Sequence, residues 1–259
     1  MTAIYRIIAL HTAHRGGMNA AVDADVRGIA KTNGESPFTI ANEIISARIG
    51  QTLGLPIPAG ILAEDSSKRL YYMSLDVSRE QKQLPPVIAA DFVAAEPHLA
   101  AGVMVFDVLI ANGDRNVTNL SLDPGFDPPR PSVFDHGHAL LGTNPPIGRD
   151  RIELAADKLG CVDDDAAIAS NSVLCAQPLE CRHLREWIER VASLPSFVFA
   201  DACAEVATTP GLNVSREDAA FLATWLTDRA ASTGQIIWDN QGSFPAIRWD
   251  LWGMQEGQP

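Results

Sequence analysis

The stretch Asn112-Gly113-Asp114-Arg115-Asn116-Val117-Thr118-Asn119-Leu120, followed by Val133-Phe134-Asp135-His136-Gly137, decides how this chain is read. It sets out a carboxylate, an amide five residues later and an Asp-x-Gly, in that order. Between them, residues 119–122 and 132–134 read as two short strands around a turn rich in Pro, Gly and Asp at 123–131. Such a hairpin would hold Asn119 and Asp135 on one side of a cleft. Both offer hard oxygen donors of the kind that suit Mg²⁺. Asp114, expected where a helix ends and a loop begins, is placed to accept a proton from a hydroxyl. Taken alone, Asn-Gly-Asp is also ordinary turn chemistry, so the surrounding order of residues has to decide.

Working outward, Ile4–Leu10 reads as a strand, His14-Arg15-Gly16-Gly17 as a turn, and residues 18–31 as one or two further strands ending in Lys31. Thr32-Asn33-Gly34-Glu35 is a loop. Ser36-Pro37 has the form of a helix start, with Ser as N-cap and Pro at the first helical position. Phe38–Leu53 carries helically spaced apolar residues and Gly54 stops it. Strands at 60–63 and 70–73 complete a β-β-helix-β-β order over residues 1–76. Residues 76–88 are a polar connector. Residues 77–259 are mostly helical, with helices expected from Pro97 to about Ala111 and at 179–193, 196–207 and 215–232. The tail from Trp238 to Trp252 reads as a strap.

This order is the one that phosphoryl transfer requires. That chemistry asks a protein mainly to position groups and neutralise charge. Asp114 and Asn119 are the candidate catalytic residues. Asn119 and Asp135 are the candidate metal ligands. Lys31, the only lysine among the first 67 residues, would meet the phosphates, and Glu43 on the following helix would hold it. Met73 and Ser74, at the junction leading to Asp76, are expected to meet the adenine through their backbone. Gly16-Gly17 and Thr32–Ser36 are each candidates to cover the phosphates. The fold class expected is α+β: a bilobed protein-kinase-like fold, with a small β-rich N-lobe carrying one main helix and a larger helical C-lobe.

Composition excludes several other classes. Of 259 residues, 46% are hydrophobic, enough for a sizeable core, and 20% are charged. The net charge of −12, with four lysines against sixteen arginines, speaks against nucleic acid and against an anionic membrane surface as partners. No apolar run approaches the roughly 18–20 residues that span a bilayer, and Met1–Arg6 lacks a signal-peptide pattern, so the expected location is the cytoplasm. Cys161, Cys175, Cys181 and Cys203 form no C-x-x-C pair and read as reduced thiols. Asp135-His136-Gly137-His138 offers an alternative zinc site, because two His at i and i+2 on an extended segment would share a face.

The chain also resembles the HipA-like kinases, within the wider phosphatidylinositol 3-/4-kinase-like group. Ile29-Ala30-Lys31, Asn42–Arg48 with Leu53-Gly54-Leu55-Pro56-Ile57-Pro58, Asn112–Asn119 and Phe134–Leu140 carry the resemblance, over roughly residues 25–142. The family's N-terminal extension and its serine-containing, Gly-rich phosphate loop are not evident. The resemblance implies a bilobed kinase using ATP and Mg²⁺. It implies Asp114 as catalytic Asp, Asn119 and Asp135 as metal ligands, Lys31 on the phosphates and Glu43 as its partner. The expected reaction is phosphorylation of a Ser or Thr hydroxyl of a protein. The alternatives are a small-molecule or lipid kinase, a non-catalytic nucleotide-binding pseudokinase, and an AMP-transferring enzyme on the same fold.

Overall fold

The computed structural model describes residues 7–13, 21–34, 36–76, 78, 83–160 and 172–252. The turn at 14–17, with its Gly16-Gly17 phosphate-loop candidate, lies outside the described residues, as do Glu35 and Cys161. Strands β1 (Ile7–Ala13) and β2 (Val22–Val26) form a two-stranded antiparallel hairpin. Strand β3 (Gly28–Lys31) follows after one residue but joins a different sheet. That sheet is antiparallel in the order β3-β5-β4, with β4 (Gly60–Glu64) and β5 (Leu70–Leu75). The segment 18–31 therefore divides at Arg27 between two sheets.

Helix α1 (Thr39–Thr52) lies between this sheet and the helical part of the chain. It is buried on nearly every side, with Ile40, Ala41, Ile44, Ile45 and Ile49 joined by the polar Asn42, Glu43 and Ser46, as expected of a helix packed on more than one face. Arg48 fastens it to α6 (Ser196–Thr208) by a bidentate pair with Glu205, both bonds 2.8 Å. Its start corrects the sequence expectation. The helix begins at Thr39, after an N-cap Phe38 that makes no side-chain cap bond; Ser36 Oγ accepts from Phe38 N and donates to Gly142 O, both at 3.3 Å, while Asn33 Oδ1 accepts from Ile40 N at 2.9 Å. Asn33 was read only as loop.

Helix α3 (Pro97–Leu109) begins at Pro97 as expected. The short α2 (Ala89–Ala95) before it was not foreseen, because seven residues are too few for a helical period to stand out. Residues 100–109 of α3 are all buried. Gly102 lets Trp187 approach so closely that a Cβ there would lie 2.3 Å from Trp187 Cε2. Strands β6 (Leu120–Asp123) and β7 (Arg130–Val133) form the anticipated hairpin, in the register Leu120↔Val133 to Asp123↔Arg130.

Helix α4 (Arg149–Leu154), α5 (Cys181–Ala192), α6 and α7 (Arg216–Asp239) complete the order. Helix α5 buries Cys181, Leu184, Trp187 and Val191, one stripe at helical spacing. Helix α7 is capped by Ser215, whose Oγ accepts from Asp218 N at 3.0 Å. The tail folds back as a strap: Trp238, Trp249 and Trp252 stack with ring centroids 5.3–6.1 Å apart. The architecture is thus α+β, a small β-rich N-terminal part with a larger helical C-terminal part. Among the described residues, no single helix is long and apolar enough to cross a membrane. Cys175, Cys181 and Cys203 are free and buried, and burial pushes the Cys203 thiol up to about 12.

Candidate active site

Alternation along β3 and β5 puts Ile29, Lys31, Tyr72 and Ser74 on one face of the sheet. That face lines a cleft of about 380 Å³, closed on the other side by Leu120, Ser121, Phe134, Asp135 and His136. Inside it, Lys31 Nζ lies 2.5 Å from Glu43 Oε1 and 2.8 Å from Asp135 Oδ1. Residues 31, 43 and 135, far apart in sequence, meet at one ammonium group.

Helix α1 holds the Asp-x-Gly segment with two adjacent side chains. Glu43 Oε1 accepts from the backbone N of His136 at 3.1 Å. Asn42 Nδ2 donates to Gly137 O at 2.7 Å, and its Oδ1 accepts from Leu141 N at 3.1 Å. Burial alone would raise the Glu43 pKa, but contacts with His136 and the Lys31 charge outweigh it and draw the group down to about 2. Asp135 adopts φ +61°, the left-handed region that Asp tolerates better than most residues. At Gly137 a Cβ would sit 3.2 Å from Thr39 and 3.6 Å from Glu43 Oε1, so the third position of the motif has little room for a side chain.

The loop from Asn112 to Asn119 is organised by Arg115, which is fully buried. Its Nε and Nη2 donate to both oxygens of Asp107 at 2.9 and 2.8 Å. Its Nη1 donates to Asn119 O at 2.9 Å and Phe134 O at 2.7 Å. One guanidinium therefore spans the two backbone positions next to the candidate metal ligands, and Phe134 N donates to Asn119 O at 3.2 Å between the same two segments. Asn119 Nδ2 donates to Asp114 O at 2.8 Å, which turns its Oδ1 away from that carbonyl. Arg151 adds a second clasp, donating to Leu140 O, Ala111 O, His138 O and Gly160 O.

Lys31, Glu43, Asp135 and Ser74 thus line the cleft directly. Asn119 is buried between Thr118 and Leu120, which do line it, and Asp114 stands half-buried at the start of the same loop. Met73 is not brought to the cleft by its side chain: a strand's two-residue period turns it to the other face of the sheet. Its backbone, and that of Ser74, pair with β3 on one side and β4 on the other. The cleft edge continues through Leu75 at the end of β5 to Asp76 and Ser78, with Arg27 Nε 3.1 Å from Asp76 Oδ2. The loop at Thr32–Gly34 lines a separate open depression with Lys68, Arg69 and Asn213.

The zinc alternative is overturned. His136 is fully buried and His138 exposed, so the two rings do not share a face. No group of three or more His, Cys, Asp or Glu among the described residues could hold a metal. His138 Nδ1 lies 2.6 Å from Thr143 Oγ1. His136 packs edge-on to Phe106, and burial lowers its pKa.

Asn42, Asp107, Arg115 and Arg151 were not assigned roles from sequence. Asp107 carried a legible signal, a lone carboxylate in the apolar run Val103–Ile110, since a buried charge requires a partner. Nothing in the sequence names that partner as Arg115.

No model of a protein family matches the chain, and no curated protein matches it in sequence. Among solved structures, it is similar to the Helicobacter pylori proinflammatory kinase CtkA, with a TM-score of 0.54 and 13% identity over 94% of this chain and 97% of that one. A chain of the Shewanella oneidensis MR-1 toxin–antitoxin complex of HipA, HipB and operator DNA matches with a TM-score of 0.38 and 12% identity, over 93% of this chain and 66% of that one. The chain has the bilobed kinase-like fold of the first of these proteins, the architecture that its resemblance to HipA-like kinases implies.

Proposed function

We propose that this chain is an ATP- and Mg²⁺-dependent phosphotransferase whose acceptor is a Ser or Thr hydroxyl of a protein. The observation that carries the reading is the Lys31 ammonium held between Glu43 and Asp135 in a cleft. Residues 1–76 and 77–259 act as the two lobes. Ile29, Ile57, Leu75, Leu120 and Phe134 supply an apolar end for the base. Lys31 supplies a fixed cation for the phosphates, and Glu43 keeps it in place. The acidic net charge of −12 favours a cationic acceptor, and the expected setting is cytoplasmic, with a protein substrate.

The residues present fit Mg²⁺ on one condition. Asp135 and Asn119 offer two hard oxygens, and no three-residue cluster among the described residues completes a site. Mg²⁺ commonly takes one or two carboxylates plus substrate phosphates, so the nucleotide has to complete the shell. When bound, the ion would neutralise charge on the phosphates.

In the reaction, the acceptor oxygen bonds to the γ-phosphorus. The bond from that phosphorus to the β,γ-bridging oxygen breaks, and its electron pair leaves with ADP. The acceptor proton passes to Asp114. Calorimetry of ATP with and without Mg²⁺, on wild type and Asp135→Ala, tests the reading. Mg²⁺-dependent binding that disappears in the variant supports it; absence of ATP binding to wild type sinks it. Mass spectrometry of the acceptor then separates transfer of phosphate from transfer of AMP.

A further inference from the structure

The loop between Asp114 and Asn119 contains a third amide, Asn116. Its Nδ2 donates to Asp114 Oδ1 at 3.2 Å. Its Oδ1 accepts from the backbone N of Thr118 at 2.9 Å and from Thr118 Oγ1 at 2.5 Å. These contacts permit one orientation of the amide. Turned over, it would set its NH₂ against the Thr118 backbone N–H and its oxygen against a carboxylate. The amide is therefore a locked donor aimed at Asp114. Among the described residues none donates to Asp114 Oδ2. One carboxylate oxygen is held and the other is open.

We infer that Asn116 is a positioning residue for Asp114: it fixes the carboxylate plane so that Oδ2 faces the acceptor hydroxyl. The inference rests on the phosphotransferase reading. It adds a division of labour within the loop, Asn119 for the metal and Asn116 for the base. The need is physical. A carboxylate on a loop rotates freely about its terminal torsion, and a proton acceptor displaced by about 1 Å can lose on the order of 10²-fold in rate. A neutral amide holds the carboxylate without competing for the metal's charge.

The test is a double-mutant cycle between Asn116 and Asp114, read by phosphate release from Mg²⁺-ATP with water as acceptor and by ³²P transfer to the chain itself. Asn116→Ala is expected to lower kcat by about 10–100-fold while the calorimetric Kd for ATP stays within about twofold. In the Asp114→Ala background the same change is expected to cost nothing further, because residues that act through one another are not additive. Thr118→Val, which removes only the hydroxyl lock, is expected to give a smaller loss of the same Asp114-dependent kind. An equal loss in both backgrounds, or none in the wild-type background, overturns the role of Asn116 and leaves the phosphotransferase reading standing. Wild type that neither binds nor turns over ATP overturns that reading, and the role with it.

Discussion

Around half-buried Lys31, charge meets charge; around buried Arg229, it meets carbonyl oxygens. In the cleft, one ammonium serves two carboxylates, Glu43 and Asp135. In the helical part, Arg229 of α7 is almost wholly buried and donates to Val108 O at 2.8 Å, Ala155 O at 2.7 Å and Ala156 O at 3.0 Å, and to Lys158 O and Leu159 O. Burial draws its pKa down to about 9, against an opposing pull from Asp157. The two arrangements suit different ends. Carbonyls at the end of a helix are fixed dipoles, so Arg229 acts as a permanent tie between α7, the end of α3 and the 155–159 turn. A carboxylate can exchange its partner, so the pair of Lys31 with Asp135 is not a permanent tie, and under the proposed function it gives way to phosphate and metal. Arg115 stands between these cases, bidentate to Asp107 and also bound to two carbonyls beside the cleft.

Substitutions in the cleft should therefore remove function and spare stability, and those in the helical part should do the reverse. The largest effect is expected from Asp135→Ala: Mg²⁺-dependent ATP binding is abolished in calorimetry while the melting temperature stays within a few degrees. Loss of folding instead would break the contrast. Asp114→Ala should leave nucleotide binding intact and lower turnover by roughly 10²–10⁴-fold, the scale of a lost positioned base; full activity would remove Asp114 from the mechanism. Arg229→Met should cost about 2–4 kcal/mol of stability in denaturant unfolding, because the buried carbonyls of Val108, Ala155 and Leu159 lose a donor, with ATP affinity unchanged below the transition. Gly102→Ala should cost about 1–3 kcal/mol by overpacking against Trp187, again without changing affinity.

The smallest effect at neutral pH is electrostatic. The Glu43 pKa is lowered in the fold to about 2 from an ordinary 4.5. A depressed carboxylate stabilises the fold above its unfolded value and loses that contribution as pH falls through its folded value. Acid unfolding of wild type should therefore steepen between about pH 4.5 and 2 relative to Glu43→Gln. Parallel curves would show that Lys31 and His136 do not hold Glu43 ionised.

Legibility in the sequence followed the same division. Lys31, Glu43 and Asp135 could be proposed together because each falls at the end of a strand, on a helix face or after a hairpin, where local pattern fixes direction. The β6–β7 hairpin and the start of α3 were legible for the same reason. The start of α1 is not, because Asn33 reaches Ile40 N across a turn that Ser36-Pro37 disguises as a helix start. The pairing of His136 with His138 assumes an extended backbone, whereas the chain turns there, Ala139 N donating to His136 O at 3.0 Å, with one ring buried and the other exposed.

The sequence by itself determined the types of the longer elements and the order in which Lys31, Glu43, Asp114, Asn119 and Asp135 occur, and its net charge sets an expectation against nucleic acid. These depend on periodicity, turn chemistry and net charge, which are properties of short segments or of sums. Only the tertiary structure decided that Lys31 meets two carboxylates and that Arg115 joins the two loops. Such partnerships depend on distances in space between segments whose separation along the chain carries no information about them.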